Sequence, residues 1–222
     1  MNRIEGVVFD LDGTLLNTLD DIADSCNRAL VEFGYPKRTI DEIRSFVGNG
    51  LGVLIEKALP DSKRTDDFEA VLDTMKKIYA ENCLVKTGPY DGVLSMLEKI
   101  SSSGIKCAIV SNKPDEQVKE LSKMFFAQYI NVDVSIGEKE SAGIRRKPAP
   151  DSVLAILDKW KIQKENVVYV GDSDVDIATA NNAGIKCISA TWGFRSREFL
   201  MEHGAEIFVD TPDEVAALVM EK

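Results

Sequence analysis

A chain of 222 residues has room for one ordinary domain and a smaller second one. Hydrophobic residues make up 44%, enough for packed cores and too many for a disordered chain. The formal net charge of -10 disfavours nucleic acid and anionic membranes as partners, and no apolar run approaches the roughly 18 residues of a membrane span. Met1-Asn2-Arg3-Ile4-Glu5 lacks the apolar stretch of a signal peptide, so a soluble, cytoplasmic chain is expected, with no obligate protein partner evident. Cys26, Cys83, Cys107 and Cys187 are scattered with no C-x-x-C spacing, and the single His203 precedes a Gly in a polar stretch. Neither set reads as a metal site. Cys107 and Cys187 read as small core residues.

The first element is Val7-Val8-Phe9, an apolar, β-branched and aromatic run that suits a strand buried on both faces. It ends in Asp10-Leu11-Asp12-Gly13-Thr14. Two carboxylates together at the end of a buried strand raise each other's pKa, and a cation between them removes that cost. Hard Mg²⁺, which takes carboxylate and carbonyl oxygens and commonly works on phosphates, suits the position. Gly13 marks a tight turn or a close approach of backbone to a ligand.

A long helical stretch follows. Leu19, Ile22, Ala23, Cys26, Ala29, Leu30 and Phe33 keep helical spacing behind Thr18 as N-cap, and Gly34 and Pro36 close the helix. Thr39-Ile40-Asp41-Glu42 is a capping-box pattern opening a second helix to about Phe46. Gly48-Asn49-Gly50 breaks the chain, a third helix runs from about Gly52 to Leu59, and Pro60 stops it. Phe68, Val71, Leu72, Met75, Ile78 and Tyr79 mark a fourth. Residues 16–87 therefore read as a four-helix insertion, a separate domain set between residues 1–15 and 88–222.

From Gly88-Pro89 the pattern changes to strands alternating with helices. Strands are expected at Lys106–Val110, Val132–Ile136, Val167–Val170, Cys187–Ala190 and Ile207–Val209. Helices lie between them, and the last runs from Asp213 to about Met220. This alternation predicts an α/β fold with a doubly wound parallel sheet. Ligands bind such sheets beyond the carboxyl ends of the strands. Asp10 and Asp12, Ser111 and Asn112, and Asp172 and Asp176 all fall at such ends, and Lys147 can reach that edge from its loop.

These residues resemble the haloacid dehalogenase superfamily. Four motifs stand in its order: Asp10-Leu11-Asp12-Gly13-Thr14, Ser111, Lys147-Pro148, and Gly171-Asp172-Ser173 with Asp176. Phe46-Val47-Gly48-Asn49-Gly50, Ser111-Asn112-Lys113-Pro114 and Arg146-Lys147-Pro148-Ala149-Pro150 look like its phosphoglycolate phosphatase branch. The resemblance implies a Mg²⁺-dependent phosphatase acting on a small-molecule phosphate ester, with a helical cap after the first motif. It implies Asp10 as nucleophile and Asp12 as general acid, then base. Asp10, the backbone carbonyl of Asp12 and Asp172 would hold the metal, with Asp176 supporting it. Ser111 and Asn112 would donate to the phosphoryl oxygens, Lys147 would neutralise their charge and hold Asp10 ionised, and Gly13 and Thr14 would line the site. A pyrophosphatase, nucleotidase or sugar-phosphate enzyme of the same superfamily is the alternative, because core motifs are shared by many activities. In the insertion, Gly48, Asn49 and Gly50 are expected to meet the substrate, with Arg44, Asn49 and Lys57 the candidates for reading its carboxylate.

Overall fold

The structure is a computed structural model that describes residues 3–60 and 66–221. Met1 and Asn2, the start of the stretch read above as lacking a signal-peptide segment, lie outside the described residues. The chain divides into two compact units, one of residues 1–15 and 89–222, the other of residues 16–88.

Strand β1 (Gly6–Phe9) opens the first unit, with every residue buried. The helical unit begins at the two-residue β2 (Leu16–Asn17), followed by α1 (Leu19–Glu32), α2 (Ile40–Phe46), α3 (Gly50–Ala58) and α4 (Phe68–Asn82). Helix α1 buries Leu19, Ile22, Ala23, Cys26, Ala29 and Leu30 and packs on α4, which buries Val71, Leu72, Met75 and Tyr79. The expected capping box of α2 is present: Thr39 Oγ1 accepts from Glu42 N, and the Glu42 carboxylate accepts from Thr39 N. Thr18 precedes α1 but makes no capping hydrogen bond, and its buried hydroxyl has no partner among the described residues. Helix α3 starts at Gly50, two residues earlier than expected; Gly48, before its N-cap Asn49, and Gly50 itself adopt φ of 122° and 82°, which only glycine takes easily.

Among the described residues of this unit Asp21 is the buried charge. Its carboxylate accepts from the backbone N–H groups of Lys86 and Thr87 at 2.9–3.0 Å, which ties the returning chain to the first turn of α1. The next residues form β3 (Gly88–Pro89), paired with β2 in a two-stranded ribbon.

The first unit resumes with α5 (Val93–Ser102), β4 (Lys106–Pro114), α6 (Asp115–Phe126), β5 (Ser135–Glu138), α7 (Asp151–Trp160), β6 (Val167–Gly171), α8 (Asp174–Ala183), β7 (Lys186–Ala190), α9 (Arg197–Glu202), β8 (Ile207–Val209) and α10 (Pro212–Met220). Two expectations need correction. Val132–Ile136 does not form one strand: Val132–Val134 is a 3₁₀ turn, entered by the Asn131 side chain accepting from Asp133 N, and β5 begins at Ser135. Ser111 and Asn112 lie within β4, not after it. Helix α9 has no counterpart among the elements the sequence predicts; Ser196 caps it, and the exposed His203 ring stacks on Phe199 at its end. No helix among the described residues is long and apolar enough to cross a membrane.

The six-stranded sheet has the order β5-β4-β1-β6-β7-β8, with parallel neighbours throughout. The fold is thus the expected doubly wound α/β sheet. The chain builds outward from β1 through β4 to β5, then crosses back to lay β6, β7 and β8 on the other side. The reversal falls between β1 and β6, which pair with Val8 opposite Tyr169. Open parallel α/β sheets bind ligands at that crevice, where loops leave in opposite directions. Asp10 and Asp172, each just past one of these two strands, flank it.

Candidate active site

Asp10 extends the β1 ladder, its N–H donating to Val170 O. Its carboxylate Oδ1 accepts from Leu11 N at 2.7 Å and pairs with Lys147 Nζ at 2.8 Å. The same ammonium meets Asp176 Oδ1 at 2.8 Å and Tyr169 Oη at 3.2 Å. An ammonium has three donors, so Lys147 is saturated. Tyr169, the one polar ring in an aliphatic strand, donates onward to Val110 O. Lys147 is delivered by the segment before α7, through a cis peptide bond to Pro148.

Asp172 is held on both oxygens. Oδ1 accepts from Thr14 Oγ1 at 2.7 Å and Oδ2 from Phe194 N at 2.8 Å. Asp176 is fixed by the start of α8. Ser173 is the N-cap, and Asp176 Oδ2 accepts from both Ser173 Oγ and Ser173 N in a capping box. A capping box thus aims the other Asp176 oxygen at Lys147.

Small residues make room for these carboxylates. A Cβ on Gly193 would lie 2.3 Å from Asp172 Cβ, one on Gly13 2.4 Å from Asp172 Oδ2, and one on Gly171 2.3 Å from Asp176 Cγ. Gly13 also has φ 91°. Gly193 stands on the loop after β7, beside Phe194 and near Trp192, whose Nε1 donates to Thr14 O. Gly193→Ala is therefore expected to lower stability by about 1–3 kcal/mol and to cut turnover more than about tenfold. Thermal melting and steady-state turnover of the variant measure both. Wild-type values for both would show that this loop does not set the position of Asp172.

Asp10, Asp172 and Asp176 each place a carboxylate oxygen within 4.8 Å of the others. All three are buried, and Lys147 supplies one positive charge against their three negative ones. Burial, then the neighbouring Asp176, hold the Asp10 carboxyl well above its ordinary range despite Lys147. The same two causes push Asp172 up to about 7, against the lowering hydrogen bonds from Phe194 and Thr14. Burial acts to lower the Lys147 pKa, but Asp10 and Asp176 outweigh it, so the ammonium keeps its proton. An all-oxygen donor set with surplus negative charge fits a hard divalent cation.

Asp12 stands apart from that triad. Its carboxylate pairs with Lys113 Nζ at 2.9 Å, and Ser111 Oγ lies 3.5 Å from its other oxygen. Asn112 Nδ2 donates to Lys147 O, and Thr14 is turned to Asp172. The residues read from sequence at the strand ends thus share one end of one sheet. Gly48, Asn49, Gly50, Arg44 and Lys57 all belong to the helical unit, where Arg44 pairs with Asp41. Lys113, Tyr169 and Gly193 were not assigned a part from sequence. For Lys113 a signal existed: it is two residues from Ser111 on a strand, hence on the same face. No local pattern marks Gly193.

Residues 7–190 match the family of haloacid dehalogenase-like hydrolases. A protein of Aquifex aeolicus named phosphoglycolate phosphatase is 35% identical over 192 residues, covering 85% of each chain. One of the same name from Vibrio parahaemolyticus is 32% identical, covering 96% of this chain and 92% of its own. A crystal structure from Lactobacillus delbrueckii subsp. bulgaricus, described as a candidate phosphoglycolate phosphatase, superposes with a TM-score of 0.93 at 33% identity, covering 99% and 100% of the two chains.

Proposed function

The chain belongs to the haloacid dehalogenase-like hydrolases and is a phosphoric monoester hydrolase, and we propose that it hydrolyses a small phosphorylated acid, 2-phosphoglycolate, with Mg²⁺ and through an aspartyl-phosphate. The observation that carries this reading is a buried carboxylate, Asp10, anchored by a saturated Lys147 at the switch point of the sheet. The curated relatives of that name support the substrate.

In the first step the Asp10 carboxylate attacks phosphorus. An acyl–phosphate bond forms as the bond from phosphorus to the ester oxygen breaks, and Asp12 gives its proton to that oxygen. In the second step water attacks the same phosphorus. Asp12 takes the proton, inorganic phosphate leaves and Asp10 is regenerated. Ser111 donates its hydroxyl to the phosphoryl oxygens. Lys147 has spent its donors within the protein, so its part is to orient Asp10 and favour its ionised form. Asp10, Asp172 and the Asp12 carbonyl would hold Mg²⁺, with Asp176 behind them. When bound, the ion supplies the positive charge that burial and neighbouring carboxylates make necessary. The helical unit is read as a cap, with Gly48, Asn49 and Gly50 the stretch that meets substrate.

The test is a panel of phosphate esters with pyrophosphate and a nucleoside monophosphate included, run with Mg²⁺, with excess chelator and with Ca²⁺. The highest kcat/KM is expected for 2-phosphoglycolate, with activity lost on chelation. Ca²⁺ should inhibit, because it takes more oxygens at longer distances than Mg²⁺. A preference for pyrophosphate or the nucleotide, or full activity in chelator, would overturn the reading.

A further inference from the structure

Lys113 takes no part in the steps above, yet it is a buried cation in the middle of them. Its side chain is 5% exposed, its Nζ lies 2.9 Å from Asp12 Oδ1, and its backbone N–H donates to Ser111 Oγ at 3.2 Å. It therefore adjoins both the proposed acid that meets the leaving oxygen and the hydroxyl that meets the phosphoryl group. We infer that Lys113 recognises the carboxylate of the substrate, sharing its ammonium between Asp12 and the ligand; this rests on the function proposed above.

The reasoning is geometric. When Asp12 protonates the ester oxygen, that oxygen lies within hydrogen-bond distance of the Asp12 carboxyl. In a 2-phospho acid the carboxylate carbon is two bonds from the same oxygen, so its oxygens lie about 3–4 Å away, by ordinary bond lengths. An ammonium already in contact with Asp12 is then within ion-pair reach of that carboxylate. A leaving group with no charge, or with its charge several carbons further on, offers Lys113 nothing at this spot. Lys147, the other buried lysine of the cluster, cannot serve, because Asp10, Asp176 and Tyr169 use its three donors. Arg44 is half-exposed and paired with Asp41. In a water-poor site a charge-assisted pair of this kind is among the stronger contacts available. The carboxylate is thus read by the sheet, from the same strand that carries Ser111.

The experiment compares 2-phosphoglycolate with the phosphate ester of glycolamide, which keeps the shape and loses the charge. In wild type, kcat/KM is expected to favour the acid. In Lys113→Met both esters lose activity, because Asp12 loses a partner, but the ratio between them should fall by about 30-fold or more. Lys113→Arg should restore part of the ratio. A binding readout separates recognition from chemistry. In Asp10→Asn protein, calorimetry should show that adding Lys113→Met weakens the Kd for the acid far more than for the amide. Thermal melting of each variant establishes that it is folded, and Lys113→Gln replaces the Met variant if that one is not. Equal losses for both esters, with the preference preserved, would overturn the inference and leave the proposed function standing. A wild-type enzyme indifferent to the exchange of acid for amide would overturn the substrate reading, and the inference with it.

Discussion

Replacing Asp10 by Asn is expected to lower kcat by about 10⁴-fold or more, the scale seen when a covalent nucleophile is removed. The amide keeps the shape of the side chain, and its oxygen can still accept from Leu11 N and Lys147 Nζ. What it lacks is the anion that attacks phosphorus. Lys147 retains Asp176 and Tyr169 as partners, so the cluster should not collapse. The substitution also removes one member of a buried group of three carboxylates, each of which makes the others costlier to ionise. Metal-free Asp10→Asn should therefore melt at or above the wild-type temperature near neutral pH. Phosphate release and thermal unfolding on the same preparation check both halves. Acid-quenched wild type should carry a phosphoryl group on the peptide containing Asp10. Substantial turnover by clean, folded Asp10→Asn would remove Asp10 as nucleophile.

The second large effect concerns pH and metal. Burial and Asp176 push Asp172 up to about 7, and Asp10 is displaced in the same direction. A carboxylate raised on folding binds its proton more tightly in the native state than in the unfolded chain. Its contribution therefore favours the native state at low pH and is lost as pH rises from the ordinary carboxylate range toward about 7. Carboxylates held low, such as Asp115 with its Lys119 and Lys139 partners, work in the opposite sense but act near and below the ordinary range. Between about pH 5.5 and about pH 8 the raised pair dominates. The metal-free protein should lose on the order of 2 kcal/mol across that interval, or several degrees in Tm. Mg²⁺ should recover it, with a larger gain at the upper end than at the lower. Asp172→Asn should flatten most of the slope. A metal-free Tm that stays level or rises over the interval would contradict this account of the cluster.

The parts of the molecule written locally were legible in the chain. Val7–Phe9 is a strand because three apolar residues precede a polar break, and the capping box at Thr39 announces α2 within four residues. The site was legible for a related reason: residues at strand ends must emerge together once the sheet is parallel, so topology alone gathers Asp10, Ser111 and Asp172. What failed depended on one local cap and on partners distant in sequence. Val132–Val134 has strand-like composition, but Asn131 turns it into a 3₁₀ segment. Lys113 stands in a motif the sequence shows, but its part is not legible there, because only the fold brings it the Asp12 carboxylate. Gly193 matters through contact with a side chain 21 positions earlier, at Asp172, and no local pattern encodes that.

The ribbon of β2 and β3, with Asp21 gripping Lys86 and Thr87, brings the two ends of the helical unit to one place. To the parallel sheet the whole insertion is a closed loop, entered and left across one strand spacing. The entropy of closing such a loop grows only with the logarithm of its length, about 0.6 kcal/mol per doubling. Lineages can accordingly lengthen, shorten or exchange what hangs from this clasp while the register of β1 against its neighbours stays untouched. Divergence in this architecture is then cheapest in the insertion and most expensive at the strand ends, where four carboxylates and two lysines depend on one another's positions.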